Sequence, residues 1–263
     1  MSHTYTFTHA IVRAPGTSAV RGLRANDIGA PDIEDFRRDH CDYVAAMQGT
    51  GAMVRTLEPL EEFPDSVFVE DTSLCLPEAA IVLRPGAPSR LGETASIKPA
   101  LAEFFDTVMV IGGDGFIDGG DILVTQKEIL IGRSQRTNPA GIAALREIVG
   151  RWGYRVREVA MPAGVLHFKT DCSVLDEETI LSTRRLAAGG CFDGYRVIHT
   201  ASGEEAAANA VRFNSVVLFA KGYPRTAEQL AAHNYNVCEI GNAEAAKLDG
   251  GMSCLSLRFS VAN

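Results

Sequence analysis

A thiol, an imidazole and a set of carboxylates are the groups in this sequence best suited to chemistry. Cys254 follows the pair Gly250-Gly251 near the C-terminus, and His167 ends an apolar run in Leu166-His167-Phe168-Lys169-Thr170. A thiolate is a strong nucleophile, and a nearby imidazole can activate it and then carry protons to and from the reacting group. A cysteine, a histidine and a carboxylate drawn from distant parts of a chain are the minimum set for such catalysis. Each also has a plain structural reading. A free cysteine is commonly a small buried hydrophobe, and a lone histidine more often packs than catalyses.

The acidic candidates fall in two segments. In Phe63-Pro64-Asp65-Ser66-Val67-Phe68-Val69-Glu70-Asp71, two adjacent carboxylates end an apolar, strand-like stretch, and Asp65 precedes it. Either the strand end turns into solvent, or Glu70, Asp71 and Asp65 face one mouth and form a pocket for a cation. The second segment, Gly112 to Asp121, carries five glycines in nine positions, so its backbone is unusual in conformation or closely approached. It lacks the phosphate-loop pattern and a third fingerprint glycine, its three aspartates repel phosphate, and no glutamate closes a calcium loop. A tight turn aiming Asp118 into a site is the economical reading. These features together describe a cysteine-dependent hydrolase acting on something cationic.

Composition limits the alternatives. The 263 residues are 46% hydrophobic and 22% charged, the balance of a globular chain with a sizeable core. A net charge of −8 argues against a nucleic-acid partner, which calls for a basic face, and suits a cationic small substrate. No apolar run approaches the ~20 residues of a membrane span. The N-terminus has no basic region leading into an apolar one, so a cytoplasmic location is expected. The cysteines at 41, 75, 172, 191, 238 and 254 form no C-x-x-C pair, which excludes zinc-ribbon and thioredoxin-type motifs.

The elements that must position these groups follow a rhythm. Val- and Ile-rich strand signals fall at 9–12, 67–69, 80–83, 108–111, 122–124, 129–131, 173–175, 179–181, 196–199, 216–219 and 237–240. Helical periodicity falls at 32–48, with Asp32 as N-cap, and at 97–105, 139–152, 204–211 and 227–233. Strand, strand, helix, strand recurs about five times at roughly 50-residue spacing, which suggests a closed propeller-like array. A doubly wound sheet is the alternative. The short loops at 126–128 and 176–178 favour the propeller, because they look like hairpins, which need antiparallel pairs. No linker marks a boundary, so residues 1–263 read as a single catalytic domain.

In combination the segments resemble the dimethylarginine dimethylaminohydrolase family of guanidino-modifying enzymes. The resemblance spans nearly the whole chain. It includes Ile11-Val12-Arg13 with Leu23, Phe63 to Asp71, Arg84-Pro85-Gly86-Ala87 through Arg90-Leu91-Gly92-Glu93, and Ser134-Gln135-Arg136-Thr137-Asn138. It continues through Leu166 to Thr170, Gly222-Tyr223-Pro224-Arg225-Thr226, and Lys247-Leu248-Asp249-Gly250-Gly251 to Arg258-Phe259. The resemblance implies a five-bladed α/β propeller of ββαβ modules, the pentein fold. By it, Cys254 attacks the guanidinium carbon, and His167 protonates the departing amine and then deprotonates the water. Glu70, Asp71 and Asp118 surround the guanidinium, Arg90 and Arg136 clamp the substrate α-carboxylate, and Asp65, Phe68 and Leu23 line the pocket or its lid. It implies no metal and no organic cofactor, a small cationic amino-acid substrate, and by analogy a homodimer.

One residue departs from the family pattern, in which glutamate is usual at position 118. Aspartate is one methylene shorter, so its carboxylate retreats by ~1.5 Å, and misplacement by about 1 Å can cost ~100-fold in rate. Either the backbone moves in, a water bridges, or the pocket suits another nitrogen substituent. Methylated arginine is the leading substrate. Citrulline hydrolysis to ornithine and arginine deimination use the same cysteine chemistry and stay open. A non-catalytic ribosome-binding role shares the fold, but it needs neither Cys254, His167 nor paired acids. Of the other cysteines, 75, 172 and 238 read as core and Cys191 as more exposed. His199 reads as an edge-strand residue, and His3, His9, His40 and His233 as surface or packing residues.

Overall fold

Among the described residues fifteen short strands form five separate three-stranded sheets, each with the same internal order. The computed structural model describes residues 4–261, so His3 lies outside them. In the first sheet β1 (His9–Arg13) runs parallel to β2 (Met53–Leu57). The second holds β3 (Ser73–Leu76), β4 (Ala79–Val82) and β5 (Val108–Val110). The third holds β6 (Ile122–Val124), β7 (Ile129–Arg133) and β8 (Val156–Ala160). The fourth holds β9 (Cys172–Val174), β10 (Thr179–Ser182) and β11 (Arg196–His199). The fifth holds β12 (Val211–Phe213), β13 (Val216–Ala220) and β14 (Val237–Ile240). The last strand, β15 (Leu257–Phe259), returns to pair antiparallel with β1, so both ends of the chain complete the first sheet.

In every sheet the middle strand pairs antiparallel on one side and parallel on the other. The antiparallel partner needs only a tight loop, whereas the parallel partner needs a crossover. The crossovers are α1 (Ile33–Gln48), α2 (Glu93–Ala102), α3 (Pro139–Gly150), α4 (Arg184–Ala187) and α5 (Pro224–Ala232). A short α6 (Ala243–Ala246) follows β14. Local chemistry sets their starts. The Asp32 side chain accepts from the Asp35 N–H, and Asn138 accepts from Gly141 N–H with Pro139 in the first turn, each satisfying an orphan donor. The 126–128 loop is a hairpin turn, with Thr125 Oγ1 accepting from the Lys127 and Glu128 N–H groups.

Five hydrophobic clusters join neighbouring sheets and close the ring. One takes Ile81 from the second sheet and Ile122 and Ile129 from the third, the next Leu130 and Ile180, the next Leu181 and Val217. Val12 with Phe213 and Leu218 joins the fifth sheet to the first, and Ile11 with Val82 joins the first to the second. Phe36, Tyr43 and Met47 of α1 are almost wholly buried in this packing, and burying each is worth ~1.5–3 kcal/mol. Among the described residues no helix is long and apolar enough to cross a membrane.

Three sequence expectations differ from the structure. The stretch at 67–69 is not a strand; it leads into a short 3-10 turn, Val69–Thr72, and the strand proper starts at Ser73. The helix expected at 204–211 is a 3-10 turn, Glu205–Ala208, followed by β12. Both belong to one architectural device. A 3-10 turn precedes the antiparallel outer strand of every sheet, the others being Gly119–Asp121, Phe168–Thr170 and Ser253–Leu255. Runs of three or four apolar residues at such turns have the composition of a strand without its ladder. Cys191 is also corrected: it is buried, packing with Phe168 and Phe192.

Candidate active site

The candidate residues gather at the 3-10 turns. These turns touch one another in order, Ser253–Leu255 against Val69–Thr72, then Gly119–Asp121, then Phe168–Thr170, then Glu205–Ala208. The turns thereby gather Cys254, Glu70 with Asp71, Asp118 and His167, the first three within their turns and the last two immediately before theirs, although 184 positions separate Glu70 from Cys254. Such an approach needs glycine. A Cβ on Gly119 would lie 1.9 Å from the Glu70 carbonyl oxygen, and one on Gly120 would lie 2.8 Å from the His167 ring and 2.9 Å from the Asp71 carboxylate. The glycine-rich segment is thus a spacer that lets two turns close on His167.

A cleft of about 240 Å³ is lined by Leu23, Asp65, Phe68, Asp71, Arg90, Arg136, His167 and Cys254, with Arg24, Gln135, Asp249 and Gly250 among the remainder. It gathers eight of the ten residues singled out in the sequence. The other two stand elsewhere. Asp118 is fully buried, accepts from the Gly86 N–H at 2.7 Å, and holds a carboxylate oxygen 2.9 Å from His167 Nε2. It backs the imidazole rather than joining a cage around the ligand. Its short side chain reaches the ring directly, so no water is needed to bridge. Glu70 is also absent from the cleft: its carboxylate takes Lys169 Nζ at 2.6 Å, Arg258 Nη2, and the Ser253 hydroxyl at 2.8 Å. Glu70 fixes the turn that carries Cys254.

Of the three expected cage acids, Asp71 alone lines the cleft. One of its oxygens accepts from Arg90 Nη1 at 2.5 Å and the other from the Gly120 N–H at 2.9 Å. Burial opposes its ionised form, but the positive His167 and Arg90 and the Gly120 donor outweigh it and hold the carboxyl at about 2. Arg90 itself is nearly spent. It also donates to both Glu93 oxygens and to the Asp65 and Phe68 carbonyls, which leaves little for a ligand carboxylate. Arg136 is freer, with Nη1 3.8 Å from Asp118. Asp65 accepts from the Leu23 N–H at 2.8 Å, and Asp249 from the Ala25 N–H at 2.5 Å, so two acids hold the loop at the cleft mouth.

The charge states of Cys254 and His167 follow from these surroundings. Burial opposes a charged His167, but Asp71, Asp118 and Asp121 overcome it and raise the imidazole to about 9. Burial, with Glu70 and Asp71 beyond it, raises the Cys254 thiol to about 11. At neutral pH the site rests as an imidazolium beside a neutral thiol. The donor atoms of Asp71, Asp118 and His167 lie within 4.8 Å of one another, the spacing of a metal site. Both carboxylates are already bonded to donors, however, and a protonated imidazole repels a metal.

Because the folded-state value of His167 exceeds its ordinary 6.5, proton binding favours the native state. That contribution is complete below about pH 6.5 and disappears as pH rises through about 9. Urea titrations from about pH 7 to pH 10 are expected to show a fall in stability that His167→Asn lacks. Identical pH slopes in the two proteins would remove the imidazolium from the account.

Sequence reasoning missed Asn209, which follows the turn Glu205–Ala208 and reaches the Cys254 sulfur. It is the one polar residue in an alanine stretch from 206 to 210, a pattern without any motif. Lys169 and Asp121 were passed over as well. Asp121 accepts from Ser134, Thr137 and the Phe168 N–H, which anchors the turn after His167.

Known proteins resemble this chain in sequence and in fold. Residues 59–260 match the family model described as arginine deiminase. An N(G),N(G)-dimethylarginine dimethylaminohydrolase of Pseudomonas aeruginosa is 37% identical over 96% of this chain and 100% of its own length. One from Streptomyces coelicolor is 33% identical, covering 95% of this chain and 96% of its own. Among solved structures, a cysteine-to-serine mutant of the Pseudomonas aeruginosa protein complexed with citrulline superimposes with a TM-score of 0.94, covering 97% of this chain and 100% of that one. The N-terminal domain of a cyanobacterial arginine dihydrolase, 20% identical, shares the fold with a TM-score of 0.83. With whole-length identity above 30% and the same five-sheet architecture, the chain belongs to the dimethylarginine dimethylaminohydrolase family.

Proposed function

We propose that residues 1–263 act as one catalytic unit that hydrolyses Nω-methylated arginine to citrulline and an alkylamine. The observation that carries the reading is the single cleft in which Cys254, His167 and the ionised Asp71 meet, in a chain similar throughout to enzymes named for dimethylarginine. Asp71 receives the guanidinium, whose planar N–H fork suits a carboxylate. Arg136 receives the α-carboxylate, while Phe68 and Leu23 cover the aliphatic stem. The arriving cation offsets the acids that hold the thiol up, and Cys254 loses its proton to solvent.

The thiolate attacks the guanidinium carbon, forming a C–S bond and a tetrahedral adduct. His167, oriented by Asp118, gives its proton to the substituted nitrogen; the C–N bond breaks and dimethylamine or methylamine leaves. The neutral imidazole then takes a proton from water, whose oxygen adds to the S-alkylthiouronium carbon. Collapse breaks the C–S bond, releasing citrulline and restoring the thiolate. The overall balance is one water consumed per amine released. Each step uses groups of this chain alone.

The direct test is incubation with asymmetric dimethylarginine, monomethylarginine, arginine and citrulline, with product identification. Dimethylamine and citrulline from the first substrate are expected. Ornithine from citrulline, with dimethylarginine untouched, would overturn the reading in favour of a citrulline hydrolase, and ammonia from arginine alone would favour a deiminase. The cytoplasmic location and the dimer belong to the same proposal; all six cysteines stand as free thiols, which suits a reducing compartment.

A further inference from the structure

One polar side chain at the nucleophile has no part in the scheme above. Asn209 is buried, and its Oδ1 accepts from the Ser253 N–H at 2.9 Å. A backbone N–H can only donate, so this bond fixes which way the amide faces. It turns the Nδ2 donor toward Cys254, whose Sγ lies 4.0 Å away. The Gly251 N–H points at the same sulfur from 3.5 Å. A Cβ on Gly251 would stand 2.3 Å from the Asn209 amide, so only glycine lets both donors close on the sulfur together.

We propose that Asn209 is a further catalytic residue, whose oriented Nδ2–H, together with the Gly251 N–H, stabilises the Cys254 thiolate when it forms and again when it is expelled. The inference rests on Cys254 being the nucleophile. The need is physical. The Glu70 and Asp71 acids oppose negative charge on this sulfur, and a neutral amide can oppose them without being drawn off into an ion pair. The Gly251 contact is of ordinary length for sulfur and the Asn209 contact is long. The amide contact has room to tighten into a charge-assisted bond once the sulfur is anionic, as catalytic hydrogen bonds commonly do on ligand binding.

Asn209→Asp separates this role from simple packing. The aspartate still accepts from the Ser253 N–H, keeps the side-chain shape, and loses the donor facing sulfur. The readout is the pH profile of Cys254 alkylation by iodoacetamide, followed by peptide mass spectrometry so that the exposed Cys41 is counted apart. The profile is expected to move to higher pH, so that alkylation at a fixed pH below its midpoint slows by about tenfold, one pKa unit. In steady state kcat falls in parallel, with KM changing by less than about threefold. Asn209→Ala removes the donor without adding charge; a smaller shift of the same sign is expected, and it gives the answer if the aspartate disturbs folding. An alkylation profile overlying that of the wild type in a folded variant would overturn the role. Alkylation involves no substrate, so failure of the nucleophile reading shows separately, as activity retained by Cys254→Ala.

Discussion

Cys254→Ala is expected to lower turnover of asymmetric dimethylarginine by at least ~10⁴-fold, since nothing else in the cleft can form the covalent adduct. Stability should hardly change. The sulfur is partly exposed at the cleft, and its hydrogen bonds, 3.5 Å from Gly251 N–H and 4.0 Å from Asn209, are weak in the resting thiol. The turn that carries it is held by other groups: the Ser253 hydroxyl on Glu70, the Ser253 N–H on Asn209 and Arg258 on the Ser253 carbonyl. Removing the sulfur also removes a thiol that Glu70 and Asp71 disfavour in its ionised form. Circular dichroism melts of the two proteins should therefore agree within about 3 °C, a ΔΔG below ~1 kcal/mol for a chain of this size. Activity within tenfold of wild type in a folded Cys254→Ala protein would end the covalent mechanism.

The second large effect is expected at Asp118. Asp118→Asn keeps the volume of a fully buried side chain but cannot keep both of its bonds. One face of the carboxylate accepts from the Gly86 N–H and the other meets His167 Nε2. If the amide oxygen serves Gly86, its NH₂ faces the imidazole, which must then present a bare nitrogen and give up its second proton. The imidazolium, held at about 9 by the surrounding acids, loses a charge partner and a hydrogen bond, so its pKa falls. The amine departs poorly without a proton donor, and kcat should drop by ~10²–10⁴-fold, the range seen when an orienting acid or a general acid is lost. KM should move little, because Asp118 does not line the cleft. A rise in KM with kcat preserved would instead return Asp118 to the substrate cage.

That distinction marks where sequence and structure part. The five-module rhythm was legible because each module repeats a hairpin and a helical crossover, and both leave periodic signals. Of the strands that escaped notice, β2 is mostly exposed and so lacks an apolar run, β15 has only three residues, and β8 alternates apolar with charged residues only weakly. Cys254, His167 and Asp71 could be singled out from residue type and from the resemblance. The placement of Glu70 and Asp118 could not, since a carboxylate beside a catalytic residue reads the same whether it faces the ligand or the protein. What sends Glu70 away from the cleft is the pair Lys169 and Arg258, 99 and 188 positions distant. What ties Asp118 to His167 is a turn made possible by Gly119 and Gly120. Arg90 shows the same limit: its type suits a substrate carboxylate, but Asp71 and Glu93 have claimed it.

The short acid at position 118 also loses its bearing on substrate choice. An aspartate that lined the cleft would enlarge the space beside the substituted nitrogen and favour a different ligand. This one lies behind the imidazole at direct hydrogen-bond distance and outside the lining of the cleft. The substrate question passes to Phe68, Leu23 and Gln135, which line the cleft itself.

The central claim is that Cys254 carries the substrate carbon during turnover, and rapid acid quench tests it most directly. The protein is mixed with asymmetric dimethylarginine, quenched within the first turnovers, digested and examined by mass spectrometry. A peptide containing Cys254 heavier by the mass of the substrate less dimethylamine is expected, and it is absent from Cys254→Ala. Dimethylamine released at full rate with no modified Cys254 peptide at any quench time would contradict it.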